Sequence, residues 1–168
     1  MHVFDLDNTL VRLTVDWEQV AQEAAAALRE EGVDPPHDLW GMLDVGDETG
    51  TRHVVEAVIS AHEREGAHAS ERLPAADRLP EGPVGVCSLN CTDACHIALD
   101  RHDIEVDAVV GRDSGPWEKP DPEPLLATID ALGGDPSEAL FIGDSETDER
   151  CAERAGVAFL YVDDWLAA

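Results

Sequence analysis

Apolar and polar positions follow two rhythms along the chain. Val3-Phe4-Asp5-Leu6-Asp7-Asn8-Thr9-Leu10 begins as an apolar run, ends in two aspartates one residue apart, and turns away at an Asn-Thr pair. This predicts a strand that presents Asp5 and Asp7 on one side, because residues two apart in a strand share a face. Beyond Leu10 the spacing turns helical. Trp17, Val20, Ala21, Ala24 and Leu28 recur on one face, Asp16 and Gln19 resemble a capping box, and Gly32 with Asp34-Pro35-Pro36 ends the run. A short apolar turn through Leu39, Trp40 and Leu43 is expected next, followed by a loop over Gly46–Gly50. A second helix is expected from about Thr51 to Glu65, with Val54, Val55, Val58, Ile59 and His62 inward and Gly66 as its stop. Residues 67–83 are small, charged and proline-punctuated, as in a linker.

From Val84 the rhythm becomes strand–helix alternation. Strands are expected at Val84–Leu89, Val106–Gly111, Ala139–Gly143 and Ala158–Val162. Helices are expected from about Thr92 to Arg101, from Pro122 behind an Asp121 cap to Leu132, and after Ser145 with Asp148. Short apolar strands alternating with helices predict an α/β fold, a doubly wound, Rossmann-like and mainly parallel sheet with its site at the strands' carboxyl ends. Residues 1–11 and 80–168 form the expected core, and residues 12–79 a small helical insertion after the first strand.

Composition narrows the classes. A formal net charge of −26 repels nucleic acid and anionic membranes, so neither is an expected partner. Hydrophobic residues make up 43%, enough for a core. No apolar run approaches the roughly 20 residues of a membrane span. Met1 leads almost directly into the first strand without a signal-peptide pattern, and a cytoplasmic location is expected. Ten arginines accompany a single lysine, Lys119. An acidic, lysine-poor chain suits a salt-filled cytoplasm, where at about 1 M ionic strength the Debye length falls to about 3 Å, so a halophilic origin is the expectation. Cys87, Cys91, Cys95 and Cys151 lack the C-x2-C pairing of zinc ribbons and are expected as reduced core thiols.

Four strand ends then supply polar residues to one rim: Asp5 and Asp7, Ser88 and Asn90, Lys119, and Asp144 with Asp148. Two carboxylates held together call for a hard divalent cation with oxygen ligands, and magnesium fits. The set suits phosphoryl transfer. Asp5 is the candidate nucleophile, Asp7 the acid and then base, and Lys119 and Ser88 the partners of the phosphoryl oxygens. Magnesium is expected on Asp5, Asp144, Asp148 and the Asp7 backbone carbonyl. Thr9 and Asn90 join the substrate-binding candidates, and Arg12 and Arg52 of the insertion are placed to meet a substrate carboxylate or second phosphate.

The chain resembles the haloacid dehalogenase-like superfamily of aspartate-nucleophile phosphatases, in particular members with a helical cap after the first motif. Phe4-Asp5-Leu6-Asp7-Asn8-Thr9-Leu10 matches the first motif and Cys87-Ser88-Leu89-Asn90 looks like the second, with Leu89 splitting the familiar serine-asparagine pair. Glu118-Lys119-Pro120-Asp121-Pro122 matches the third, and Phe141-Ile142-Gly143-Asp144-Ser145 through Asp148 the fourth. The resemblance implies a magnesium-dependent phosphatase of the phosphoglycolate phosphatase type, acting on a small-molecule phosphate ester through an aspartyl-phosphate, as a monomer or homodimer. It makes residues 12–79 the cap. Asp7 stands where the dehalogenases lack an aspartate, which points to phosphate esters. A phosphomutase of the same fold and a non-catalytic phospho-ligand-binding relative stay open beside it.

Overall fold

The computed structural model describes residues 1–168. The first strand, β1 (His2–Phe4), lies at the centre of the main sheet. The chain then makes β2 (Val11–Arg12) and three helices, α1 (Trp17–Glu30), α2 (Leu39–Thr49) and α3 (Arg52–His68), and returns through β3 (Glu71–Arg72). The strands and helices that follow are β4 (Val84–Cys87), α4 (Thr92–Arg101), β5 (Ala108–Val110), α5 (Glu123–Ala131), β6 (Leu140–Gly143), α6 (Glu146–Ala155), β7 (Ala158–Tyr161) and α7 (Val162–Ala167). Five strands form one sheet in the order β5-β4-β1-β6-β7, with every pairing parallel. The chain reverses its direction of winding at β1, so the carboxyl end of β1 is the point where such sheets open a crevice.

Both faces of the sheet are buried. Phe4, Val84, Val86 and Ile142 pack on one side against Ala94, Cys95, Ala98 and Leu99 of α4. Val3, Cys87 and Phe141 face the other side, against Leu125 and Ile129 of α5 and Cys151 and Ala152 of α6. Alternate residues of β1 thus serve two cores, as the period of a strand requires. All four cysteines are free and buried, as expected.

The helices between β2 and β3 have a core of their own, in which Val20, Ala24 and Leu28 of α1 meet Met42 and Leu43 of α2 and Val55 and Ile59 of α3. They leave and rejoin the sheet domain through the antiparallel ribbon that pairs Val11 with Arg72. Ala75 and Ala76, just beyond this ribbon, pack into the cluster beneath the sheet.

Two expected breaks are helical. Residues 46–49, expected as part of a loop, are the end of α2, which also absorbs the expected turn at Leu39–Leu43 and begins at an Asp38 cap whose carboxylate accepts from Gly41 N at 2.8 Å. A Cβ on Gly46 would lie 2.6 Å from Arg52 Cα, so this glycine permits close contact between α2 and α3. Gly66, expected to stop α3, lies inside it, and a Cβ there would meet Thr14 O at 2.7 Å. Both glycines serve packing where punctuation was expected. The segment 67–83 also carries more order than a linker, with β3 and a short 3-10 turn at Pro74–Asp77.

Candidate active site

Asp5 follows directly on β1, and its backbone N–H still bonds Ile142 O at 2.8 Å, which holds its carboxylate at the rim of the sheet. Asn8 then adopts φ 62°, a left-handed conformation that asparagine tolerates, and the turn closes through Asn8 N to Val11 O. Asp7 is fixed by this turn, its Oδ1 accepting from Leu13 N at 2.8 Å. Thr9 is buried, with Oγ1 3.5 Å from Asp5 Oδ2.

The lone lysine comes from 114 residues away. Lys119 Nζ donates to Asp5 Oδ1 at 2.7 Å, to Asp148 Oδ1 at 2.5 Å and to Cys87 O at 3.1 Å, so each of its three N–H groups has a partner. Lys119 is only 5% exposed and Asp5 6%. Asp148 is held in turn by a capping box at the start of α6, its Oδ2 accepting from Ser145 Oγ at 2.6 Å and Ser145 N at 3.2 Å. The approach depends on Gly143, where a Cβ would stand 2.7 Å from the Asp148 side chain.

Burial raises the Asp5 carboxyl to about 7 against the pull of Lys119, and the charges of Asp148 and Asp144 push the same way. For Lys119, burial alone would lower the ammonium, but Asp5 and Asp148 hold it well above its ordinary value. The Asp7 carboxyl is raised, chiefly by burial, with Leu13 N opposing and Glu63 assisting. Asp144 is raised by burial and by Asp148.

Carboxylate oxygens of Asp5, Asp144 and Asp148 lie within 4.8 Å of one another. Hard oxygen donors at this spacing fit a divalent cation. Both Asp148 oxygens are already engaged by Lys119 and Ser145, so Asp5 and the exposed Asp144 are better able to bind an ion directly, with Asp148 orienting the lysine.

A cavity of about 200 Å³ opens over these groups. Asp5, Asp7, Lys119, Asp144, Asp148 and Asn90 line it, together with Trp17, Leu39, Trp40, Leu43 and Ile59 from the helical unit. The remaining expected contacts lie elsewhere. Ser88 is buried outside the lining, its hydroxyl donating to Asn90 Oδ1 at 3.0 Å, while Leu89 and Asn90 reach the cavity wall. Arg12 is an exposed partner of Glu71, 3.1 Å away. Arg52 is held by Asp47, Glu56 and Glu118 at 2.7–3.2 Å and borders a separate depression. Neither arginine lines the cavity that contains Asp5. Each sits among carboxylates of its own neighbourhood.

Two lining residues escaped the sequence. Glu63 is 1% exposed and accepts from Cys91 N at 2.9 Å and from both terminal nitrogens of Arg112, at 2.6 and 3.0 Å. Arg112, for which the sequence offered no role, is itself buried. The signal for Glu63 was present, because it continues the stripe Val55, Ile59 at i+4 spacing, one position beyond the His62 that was expected inward.

Comparison with known proteins gives the family and the fold. Residues 82–162 match the haloacid dehalogenase-like hydrolase family. The chain is 30% identical over 183 residues to a phosphoglycolate phosphatase of Cereibacter sphaeroides, spanning 94% of this chain and 82% of that one. A haloacid dehalogenase-superfamily hydrolase of subfamily IA from Geobacter sulfurreducens shares the fold, with a TM-score of 0.60 at 24% identity over 94% of this chain and 86% of that one. CbbY from Rhodobacter sphaeroides, in complex with phosphate, does so with a TM-score of 0.63 at 15% identity, over 95% and 84%. The chain belongs to the haloacid dehalogenase-like hydrolase family, as an enzyme of the phosphatase type.

Proposed function

We propose that this enzyme hydrolyses a small-molecule phosphate monoester through an aspartyl-phosphate on Asp5, with magnesium as its cofactor. The observation that carries the reading is the buried contact of 2.7 Å between Asp5 and the only lysine of the chain. A solvated ion pair needs no such burial, whereas a carboxylate that must approach a phosphate dianion needs an ammonium beside it.

In the first step an Asp5 oxygen forms a bond to phosphorus as the bond to the alcohol oxygen breaks, and Asp7 gives its proton to the departing alkoxide. The raised carboxyl of Asp7 favours the protonated form this step requires. The charge that Asp5 gives up passes through the departing alkoxide to Asp7, which the proton transfer leaves ionised, while the phosphoryl oxygens stay beside the Lys119 ammonium. In the second step Asp7 takes a proton from water, the water oxygen bonds to phosphorus, and the acyl-phosphate bond breaks to release phosphate and restore the Asp5 carboxylate. Asp5 and Asp144 would hold magnesium, with the Asp7 carbonyl as a further donor; the bound ion supplies charge neutralisation for the phosphoryl group. Asn90 stands at the wall for a phosphoryl oxygen, steadied by Ser88. Helices α1–α3 act as a cap that excludes water. Four free, buried cysteines suit a reducing, cytoplasmic compartment.

The test is phosphate release from a panel of monoesters in high potassium chloride. Turnover is expected with magnesium and not with EDTA. Asp5→Asn is expected to abolish it while circular dichroism stays unchanged, and near-full activity in that variant would overturn the covalent route. With a phosphate-labelled monoester, appearance of the label on an acceptor alcohol, with none as free phosphate, would indicate a mutase.

A further inference from the structure

Resting on the phosphatase reading, we infer that the alcohol portion of the substrate is a small, uncharged, apolar group such as a single aromatic ring, and carries no second anion. The walls facing Asp5 are Trp17 of α1, Leu39, Trp40 and Leu43 of α2, and Ile59 of α3. Trp17 and Trp40 are the only large apolar side chains left exposed in the protein, at 44% and 49%, and both border this cavity. Keeping two indoles in water is unfavourable, and an apolar group seated in the cavity they border removes part of that surface from solvent.

Charge argues the same way. Five carboxylates line the cavity against two cations, Lys119 and Arg112. Lys119 has its three partners, and the Arg112 guanidinium is taken up by Glu63, by Glu56 at 3.0 Å and by Leu89 O at 2.5 Å. No unpartnered cation awaits a carboxylate or second phosphate. A divalent ion held by Asp5 and Asp144 would offset charge beside the phosphoryl group, and the five apolar wall residues carry none. Volume sets the size. About 200 Å³ is smaller than the roughly 300 Å³ at which drug-sized pockets begin. It suits a phosphoryl group with one ring or a short alkyl chain, and a nucleotide does not fit.

The experiment compares kcat/KM for benzyl phosphate and for phosphoglycolate, both esters of primary alcohols, on the full chain with magnesium and potassium chloride. Benzyl phosphate is expected to be preferred by about tenfold or more, on the order of one ring's contact with an indole. Trp40→Ala is expected to erase most of that preference through KM, and Trp40→Phe to restore it. Benzylphosphonate is expected to compete more strongly than phosphonoacetate. Preference for phosphoglycolate, with turnover still abolished by Asp5→Asn, would overturn this inference and leave the phosphatase reading standing. Hydrolysis of no ester at all would overturn both.

Discussion

Asp5 is pulled in two directions. Reactivity needs its carboxylate ionised beside Lys119, while burial favours the neutral acid and raises it to about 7. A group whose pKa rises on folding contributes stability below its unfolded value, near the ordinary 3.9 of aspartate, and loses it as pH climbs through the folded value. Without metal, the protein is therefore expected to lose stability between about pH 4 and about pH 7 on account of this residue. Asp5→Asn cannot ionise, so its advantage over the parent should grow across that window and level off above it. Thermal melts in EDTA at several pH values measure this, and a constant difference between the two proteins would show that Lys119 already compensates the charge. Magnesium should narrow the gap, because a cation on the carboxylate replaces part of the lost solvation.

Between elements, the Glu63–Arg112 pair ties α3 to the segment after β5. Both side chains are almost fully buried, and the carboxylate also caps the turn at Cys91 N. Arg112→Met leaves a buried carboxylate uncompensated and is expected to cost about 3–5 kcal/mol, whereas Arg112→Met combined with Glu63→Leu should recover most of the loss. Urea unfolding of the single and double variants decides it, and a single variant within about 0.5 kcal/mol of the parent would sink the idea. This level of organisation was the least legible in the sequence. The strands and their helices could be read because an apolar run of four or five residues has one solution in a parallel sheet. Asp5, Asp7, Lys119, Asp144 and Asp148 could be read as one group because each follows a strand end. Gly46 and Gly66 misled because glycine that allows close helix packing looks the same in sequence as glycine that ends a helix. Arg112 was hidden among nine others that share its composition signal, and the burial of Ser88 against Asn90 is set by backbone geometry that its residue type does not encode.

For the molecule as a whole, charge dominates. Thirty-seven acidic residues face eleven lysines and arginines, and self-repulsion opposes compactness wherever it is unscreened. The melting temperature is expected to rise as potassium chloride increases from about 0.05 M to about 1 M, over which the Debye length shrinks from more than about 10 Å to about 3 Å. A melting temperature independent of salt would mean that local ion pairs already balance the surface.

The position of β1 between β4 and β6 has a consequence for biosynthesis. The segment bearing the nucleophile leaves the ribosome well before its neighbours on either side, residues 84–86 and 140–142. At about 5–20 residues per second, it waits on the order of ten seconds for its second flank. The three helices between β2 and β3 share a core of their own that can collapse during that delay, whereas the hydrolytic centre assembles only after α6 has emerged with Asp148. A nascent chain released early would carry every residue of the first motif and still be inert.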